Sequence, residues 1–111
     1  MRKVKIGSKE YEVYYGQNSV CALEDELQES ITDILARLDD NKVKFKDIRA
    51  LIWAGLLKSE RTLTPEQLGE ICDEAGVSFS AILPEFLEEL TLSFKRLIPD
   101  ETPPDEDVKK K

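Results

Sequence analysis

Few residues in this chain could carry chemistry, because it has two cysteines, no histidine and only five glycines. Cys21 and Cys72 each fall on the apolar stripe of a predicted helix, so we interpret both as buried thiols rather than as a disulfide or reactive nucleophiles. Without histidine or a CxxC pair there is no ligand set for structural zinc. Phosphate-binding glycine loops and nucleophile elbows are also missing. The sequence therefore predicts a protein that is not an enzyme and holds neither cofactor nor metal.

Two acidic patterns resemble cation sites, and both fail on their chemistry. The run Glu24-Asp25-Glu26 occupies three successive helical positions, which point to different sides and do not converge on one ion. The string LTPEQLGEICDEA is similar to the first helix of a calcium-binding EF-hand. The twelve residues AGVSFSAILPEF that should form its loop have almost no oxygen ligands. Calcium binding is therefore rejected.

A DNA-binding helix-turn-helix is the alternative function, because ICDEAGVSFSAIL has the small residue, glycine and apolar residues of that motif in suitable places. The helix that would enter the groove has no Lys or Arg before Lys95. It carries Glu85, Glu88 and Glu89 instead, which would repel the phosphate backbone. Charge therefore favours a protein partner over DNA.

Composition points the same way for the whole chain, which has 111 residues and a formal charge of −7. Residues 18–97 carry nine basic and sixteen acidic side chains. An acidic body repels nucleic acid and anionic lipid, so we expect neither as a partner. No apolar run approaches the roughly 20 residues that span a bilayer, and the N-terminus lacks the apolar core of a signal peptide. We therefore expect a cytoplasmic protein that binds other proteins.

Residues 45–77 predict two helices joined by a polar turn, and they are the best-marked part of the chain. Thr64 is placed to cap the second helix, with Pro65 at its first position and Gln67 completing a capping box. Gly76 is placed to end that helix in a left-handed conformation. Trp53 lies beside the apolar stripe of the first helix. The inward positions of the two helices are Phe45, Ile48, Leu51, Ile52, Gly55, Leu56, Leu68, Ile71, Cys72 and Ala75.

The N-terminal residues alternate in a way that predicts a β-hairpin, with strands at about 2–6 and 9–15. A two-residue loop at Gly7-Ser8 sets Lys5 opposite Glu10, Lys3 opposite Glu12 and Val4 opposite Tyr11. One face of the hairpin then pairs opposite charges, and the other is apolar. Since an isolated hairpin is marginal in water, that apolar face must pack on helices.

The remaining apolar stripes predict two more helical regions. One starts at Asn18 or Ser19 and runs to Leu38 as the longest helix, with a second capping signal at Ser30 that allows a break. The other follows Ser78 and contains Pro84, where we expect a kink or a restart after one turn. Gly55 and Gly69, inside helices, indicate close backbone approach. The surplus of apolar residues on the last helix, with Trp53, supplies the protein-binding candidates: Phe79, Phe86, Leu90, Phe94 and Trp53.

The fold prediction is mainly α, with a small N-terminal β-hairpin packed on four or five helices in a single domain, residues 1–98. Residues 99–111, PDETPPDEDVKKK, have three prolines and one apolar residue, and are predicted to be a disordered acidic tail.

Several of these strings together resemble the phage tail assembly chaperones found in prophages and gene transfer agents. They are RALIWAGLL at 49–57, the polar turn, LTPEQLGEICDEAG at 63–76, the strand pair, and VCALEDEL at 20–27. The resemblance implies a non-enzymatic protein that binds the tape measure protein during tail assembly, with tail tube subunits as a second partner. It further implies that the protein acts in the host cytoplasm and is absent from the mature virion. A homo-oligomer is compatible with it.

Overall fold

The computed structural model describes residues 2–97, which form a hairpin followed by five helices. The strands are β1 (Arg2–Ile6) and β2 (Lys9–Val13). The helices are α1 (Gln17–Leu27), α2 (Ile31–Asp39), α3 (Phe45–Leu56), α4 (Pro65–Ala75) and α5 (Phe79–Leu97). The predicted fold class is confirmed. The tail predicted at 99–111 lies outside the described residues.

The hairpin has the predicted register, because β1 and β2 pair with Val4 opposite Tyr11 and the two lysines opposite glutamates. Gly7 begins the turn at a φ of +67°, a conformation that glycine adopts without steric cost. The inward residues Val4, Ile6, Tyr11 and Val13 are buried. β2 ends at Val13, two residues before the predicted end.

Helix α3 is the central element, since it packs against α1, α4, α5 and β2. Its middle and last turns are buried, which confirms the inward positions predicted for Leu51, Ile52, Gly55 and Leu56. Phe45 is an exception, because 67% of it is exposed. It is the first residue of the helix and its ring lies against Phe79, beyond the end of the core. The prediction that it faces inward was wrong.

At Gly55, the segment that connects the hairpin to α1 packs on α3. The Tyr15 hydroxyl donates to the carbonyl of Leu51 at 2.6 Å, and the Tyr14 amide donates to the carbonyl of Gly55 at 2.9 Å. A Cβ on Gly55 would lie 2.7 Å from the ring of Tyr15 and 3.0 Å from that of Phe86. The predicted close approach is therefore confirmed at Gly55. It was wrong for Gly69, where a Cβ would meet nothing within 4 Å.

Several helices begin or end at the capping residues that the sequence predicted. Thr64 accepts from the Gln67 amide at 3.1 Å while Gln67 accepts from the Thr64 amide at 3.0 Å, and Gly76 ends α4 at a φ of +69°. Ser30 caps α2 by accepting from the Asp33 amide at 3.2 Å. These caps were predicted, including the break before α2.

Other boundaries differ from the prediction. The first helix is capped at Gly16, whose amide donates to the hydroxyl of Ser19, so it begins earlier than predicted. Because α1 and α2 are separate, the longest helix among the described residues is α5, with 19 residues. Pro84 does not divide α5, which is continuous. The carbonyl that loses its donor belongs to Ser80, near the start of the helix, so only one early hydrogen bond is missing.

Two residues predicted to face inward, one on α1 and one on α4, are exposed instead. Cys72 is buried, but Cys21 is exposed because the inward face of α1 passes through Ser19 and Leu23 instead. Burial, and next the charge of Asp73, raise the pKa of Cys72, which keeps this thiol protonated and unreactive. Ala75, predicted to point inward, is exposed at the end of α4.

An ion-pair network joins α2 to the start of α3. The Arg37 guanidinium contacts the carboxylates of both Asp47 and Glu29. Asp47 also accepts from the backbone amide of Lys44 at 2.8 Å. Burial alone would raise the pKa of Asp47, but the hydrogen bonds from Arg37 and Lys44 outweigh it and hold that pKa below its ordinary value.

We predict opposite effects for the same substitution at the two helical glycines. Gly55→Ala should lower the free energy of unfolding by about 2–3 kcal/mol, because the new methyl group meets two buried rings that have no room to move. Gly69→Ala should raise it by about 0.5–1 kcal/mol, because alanine restricts the unfolded chain and meets nothing in the fold. Urea unfolding measures both. Equal effects would show that no special packing exists at Gly55.

We also predict that Asp47 makes stability depend on pH. Its folded pKa is lowered, so its contribution is complete above the ordinary value of 3.8 and is lost as the pH falls through the folded value. Asp47→Asn should therefore cost about 1–3 kcal/mol at pH 7 and progressively less below pH 4 in urea unfolding. The exposed Asp25→Asn serves as the control and should show no such convergence. A difference between wild type and Asp47→Asn that stays constant with pH would contradict this assignment.

Candidate protein-binding surfaces

Helix α5 carries four of the five predicted binding residues, and the structure places all four on or beside its core-facing side. Phe86 and Leu90 are buried in the core, with exposed fractions of 0% and 2%. Phe79 and Phe94 are partly buried at the edge of the core. Removing a ring as buried as that of Phe86 costs about 3–5 kcal/mol. A loss of binding after such a change would therefore report unfolding rather than a lost contact.

Trp53, the fifth candidate, lies on α3 beside its apolar stripe and is partly buried against the core. Its indole N–H donates to the carbonyl of Leu63 at 2.7 Å, which fixes the ring over the turn between α3 and α4. Trp53 therefore contacts the turn between α3 and α4, whereas the other four candidates lie on α5. Its main role is to hold this turn, and only part of its ring surface is open to a partner.

The outer side of α5 forms a shallow groove with β1, which we call the α5 groove. Leu92 is 58% exposed at one end of it, and Pro84 is exposed at the other. Pro84 is three residues before Leu87 and eight before Leu92, so these apolar side chains flank Glu88 and Thr91 on the outer side of α5. Sequence reasoning found an apolar surplus on this helix but missed Arg2, which reaches the groove only through tertiary packing. The lining residues are Arg2, Pro84, Leu87, Glu88, Thr91 and Leu92.

Arg2 and three glutamates set the charge of the α5 groove. Arg2 lies 2.7 Å from a carboxylate oxygen of Glu88 and 3.7 Å from one of Glu89. Burial of Tyr15 raises the pKa of its hydroxyl, and the charge of Glu89, which is also buried, raises it further. Glu85 is exposed one turn before Glu89. The lining therefore pairs Arg2 with Glu88, and the exposed Glu85 leaves this side of α5 acidic, which suits a partner with basic residues beside apolar ones.

Phe45 forms a second exposed apolar site at the other end of α5. Its ring centroid lies 5.5 Å from that of Phe79, at an interplanar angle of 44°. Lys44 and Lys46 on either side of it are exposed. Those flanking lysines were the signal that could have identified Phe45 as a surface residue, since a charged pair beside a first-turn residue places that turn in water.

The arrangement gives no support to the DNA-binding alternative. Helix α5, which would be the recognition helix, packs Ile82, Phe86 and Leu90 into the core and turns Glu85 and Glu88 to solvent. Those carboxylates would face the phosphates.

Within residues 2–97, no three histidine, cysteine or acidic side chains are grouped so that they could hold a metal ion. A search of the same part of the chain found no helix long and apolar enough to cross a membrane.

A comparison with known protein families places the chain in a phage tail family. A family model described as "Phage tail tube protein, GTA-gp10" matches residues 2–94 of the chain. That range begins at the first residue of β1 and reaches Phe94, so it includes both the α5 groove and the site around Phe45. No curated protein and no solved structure matches the chain.

Proposed function

The chain belongs to the phage tail tube protein (GTA-gp10) family, and we propose that it serves as a tail assembly chaperone that binds the tape measure protein. Its family membership makes it a protein of phage tail structure or assembly. The proposed role is non-enzymatic: the protein binds its partner in the host cytoplasm and leaves before the virion is complete. The identity of the partner rests on the resemblance of residues 49–57 and 63–76 to tail assembly chaperones from prophages and gene transfer agents.

The α5 groove is the observation that carries this proposal. Pro84, Leu87 and Leu92 offer apolar contacts on the outer side of one helix, and such contacts suit an amphipathic partner helix that would otherwise expose its own apolar face. Glu85 and Glu88 on the rim attract basic residues of the partner. They also keep the groove from attracting apolar surfaces at random. A groove of this kind is expected to hold a partner helix reversibly, as a chaperone must.

The net charge of −7 adds to this function. A complex that carries surplus negative charge repels its own copies, so a poorly soluble helical partner stays dispersed. The same property would hinder a subunit that must stack densely on identical subunits.

A tail tube subunit is the second candidate, favoured by the description of the family itself. Permanent interfaces commonly bury 2,000 Å² or more and are rich in apolar residues. Among the residues that the structure describes, Phe45 and Leu92 are the exposed large apolar side chains, and they lie at separate sites. So little apolar surface favours a transient partner over a permanent tube lattice. Tail tube subunits remain a proposed second partner of the chaperone.

The test is to co-express the full chain with the tape measure protein of the same tail gene cluster and measure how much of the latter stays soluble and co-purifies. We predict that Leu92→Glu weakens the complex about five- to thirtyfold, since it removes an apolar contact and adds repulsion, a loss of about 1–2 kcal/mol. Thr62→Glu, an equal charge change at an exposed turn, should leave binding unchanged.

Thermal unfolding of both variants checks that the fold is intact. No complex with wild type would contradict the chaperone function. Large polymers of the purified chain alone, abolished by Leu92→Glu, would favour the tail tube subunit instead.

A further inference from the structure

Phe45 and its neighbours form a basic aromatic surface on an acidic protein, and the proposed function leaves this surface unused. Phe45 is 67% exposed, and its ring contacts Phe79, which is partly buried. Because Phe79 packs on the core, it fixes the position of Phe45. A fixed, exposed aromatic ring is the kind of anchor on which a partner's apolar side chain can pack. We call this site the basic aromatic end, formed by Lys42, Lys44, Phe45, Lys46 and Phe79.

The charge of this site opposes that of the rest of the body. Between residues 42 and 49 the chain has four basic residues and a single carboxylate, Asp47. Asp47 has only 4% of its side chain exposed and is paired with Arg37, so it does not neutralise the lysines at the surface. Lys42, Lys44 and Lys46 are exposed. The result is a compact positive site on a chain whose net charge is −7.

Two further features adjust that positive field. The helices α3 and α5 begin at Phe45 and Phe79, so their N-termini lie side by side and add partial positive charge. Asp39 and Asp40 are exposed just before Lys42 and reduce the field on that side. Arg49 is partly engaged, 3.8 Å from Glu66. Positive charge is therefore strongest around Lys44 and Lys46, directly beside the exposed ring.

We propose that the basic aromatic end docks a short acidic segment of a protein partner, in which a bulky apolar side chain sits among carboxylates. The apolar side chain packs on Phe45 and Phe79, and the carboxylates contact Lys44 and Lys46. Nucleic acid is disfavoured, because a longer polyanion would run onto the surrounding glutamates and aspartates. A short peptide touches only the positive site.

This site is separate from the α5 groove. Along α5, Phe79 is five residues from Pro84, the near end of the groove, and 13 from Leu92, its far end, which is roughly 8 Å and 20 Å at 1.5 Å per residue. An acidic segment at one end and an amphipathic helix at the other could therefore bind together. The proposal does not depend on the identity of the partner of the groove.

The test uses the full chain and a fluorescein-labelled decapeptide of eight glutamates around two central phenylalanines, with binding followed by anisotropy at low salt. We expect saturable binding that weakens at least tenfold with Phe45→Ala and at least tenfold with the double change Lys44→Glu and Lys46→Glu. Raising the salt to 0.3 M should weaken it as well, because the site works through exposed charges. Arg61→Glu, a charge reversal at an exposed position in the turn between α3 and α4, is the control and should bind as wild type does.

Several results would overturn the proposal. Binding that survives Phe45→Ala, or the absence of binding by wild type, would show that the ring is not an anchor. Tighter binding of a ten-residue oligodeoxythymidine than of the peptide would assign the site to nucleic acid. Tenfold tighter peptide binding by the variant with Asp105→Asn, Glu106→Gln and Asp107→Asn would assign the site to the chain's own acidic segment. Unchanged thermal unfolding of each variant ensures that these outcomes report the site.

Discussion

The close approach of Tyr15 to Gly55 is the contact on which the arrangement of the molecule depends. A helix that presented any side chain at this position would push the ring of Tyr15 outward, and with it the hydrogen bond to the carbonyl of Leu51. Phe86 packs on the same glycine from α5. Because Gly55 has no side chain, the segment after the hairpin and α5 can both pack on α3 at this residue. The contact thereby sets the positions of the hairpin and of α5.

Those positions decide which residues a partner can reach. With Phe86 on Gly55, the inward side of α5 contains Leu90, and the opposite side presents Pro84 and Leu92. The hairpin, held by the same contact, brings Arg2 to Glu88 at the rim of the groove. At the start of α5 the same orientation sets Phe79 beneath Phe45. The core and the two candidate surfaces are therefore consequences of one packing arrangement.

Much of this could be predicted from local sequence, because local hydrogen bonds and cross-strand pairs set it. The Thr64 and Gln67 caps, the Gly76 terminus and the Lys–Glu register of the hairpin are each specified by residues close in the chain. The predictions that failed concern residues whose burial depends on contacts with parts of the chain that are distant in sequence. Phe45 fits a helical stripe but lies beyond the end of the core, and Gly69 resembles Gly55 in sequence yet has no element packed on it. For the binding surfaces, periodicity supplied the apolar residues of α5. The division into buried Phe86 and exposed Leu92 needed the orientation of the helix, and Arg2 needed the whole fold.

We propose that the folded body binds its partner through the outer side of α5. Hydrogen–deuterium exchange of the full chain, alone and in complex with the tape measure protein, tests this most directly because it reports each helix separately. We expect slower exchange on binding in peptides that cover residues 84–92 and β1, with α1 and α2 unchanged. Protection confined to α1 and α2, with α5 unaffected in a complex that demonstrably forms, would contradict it.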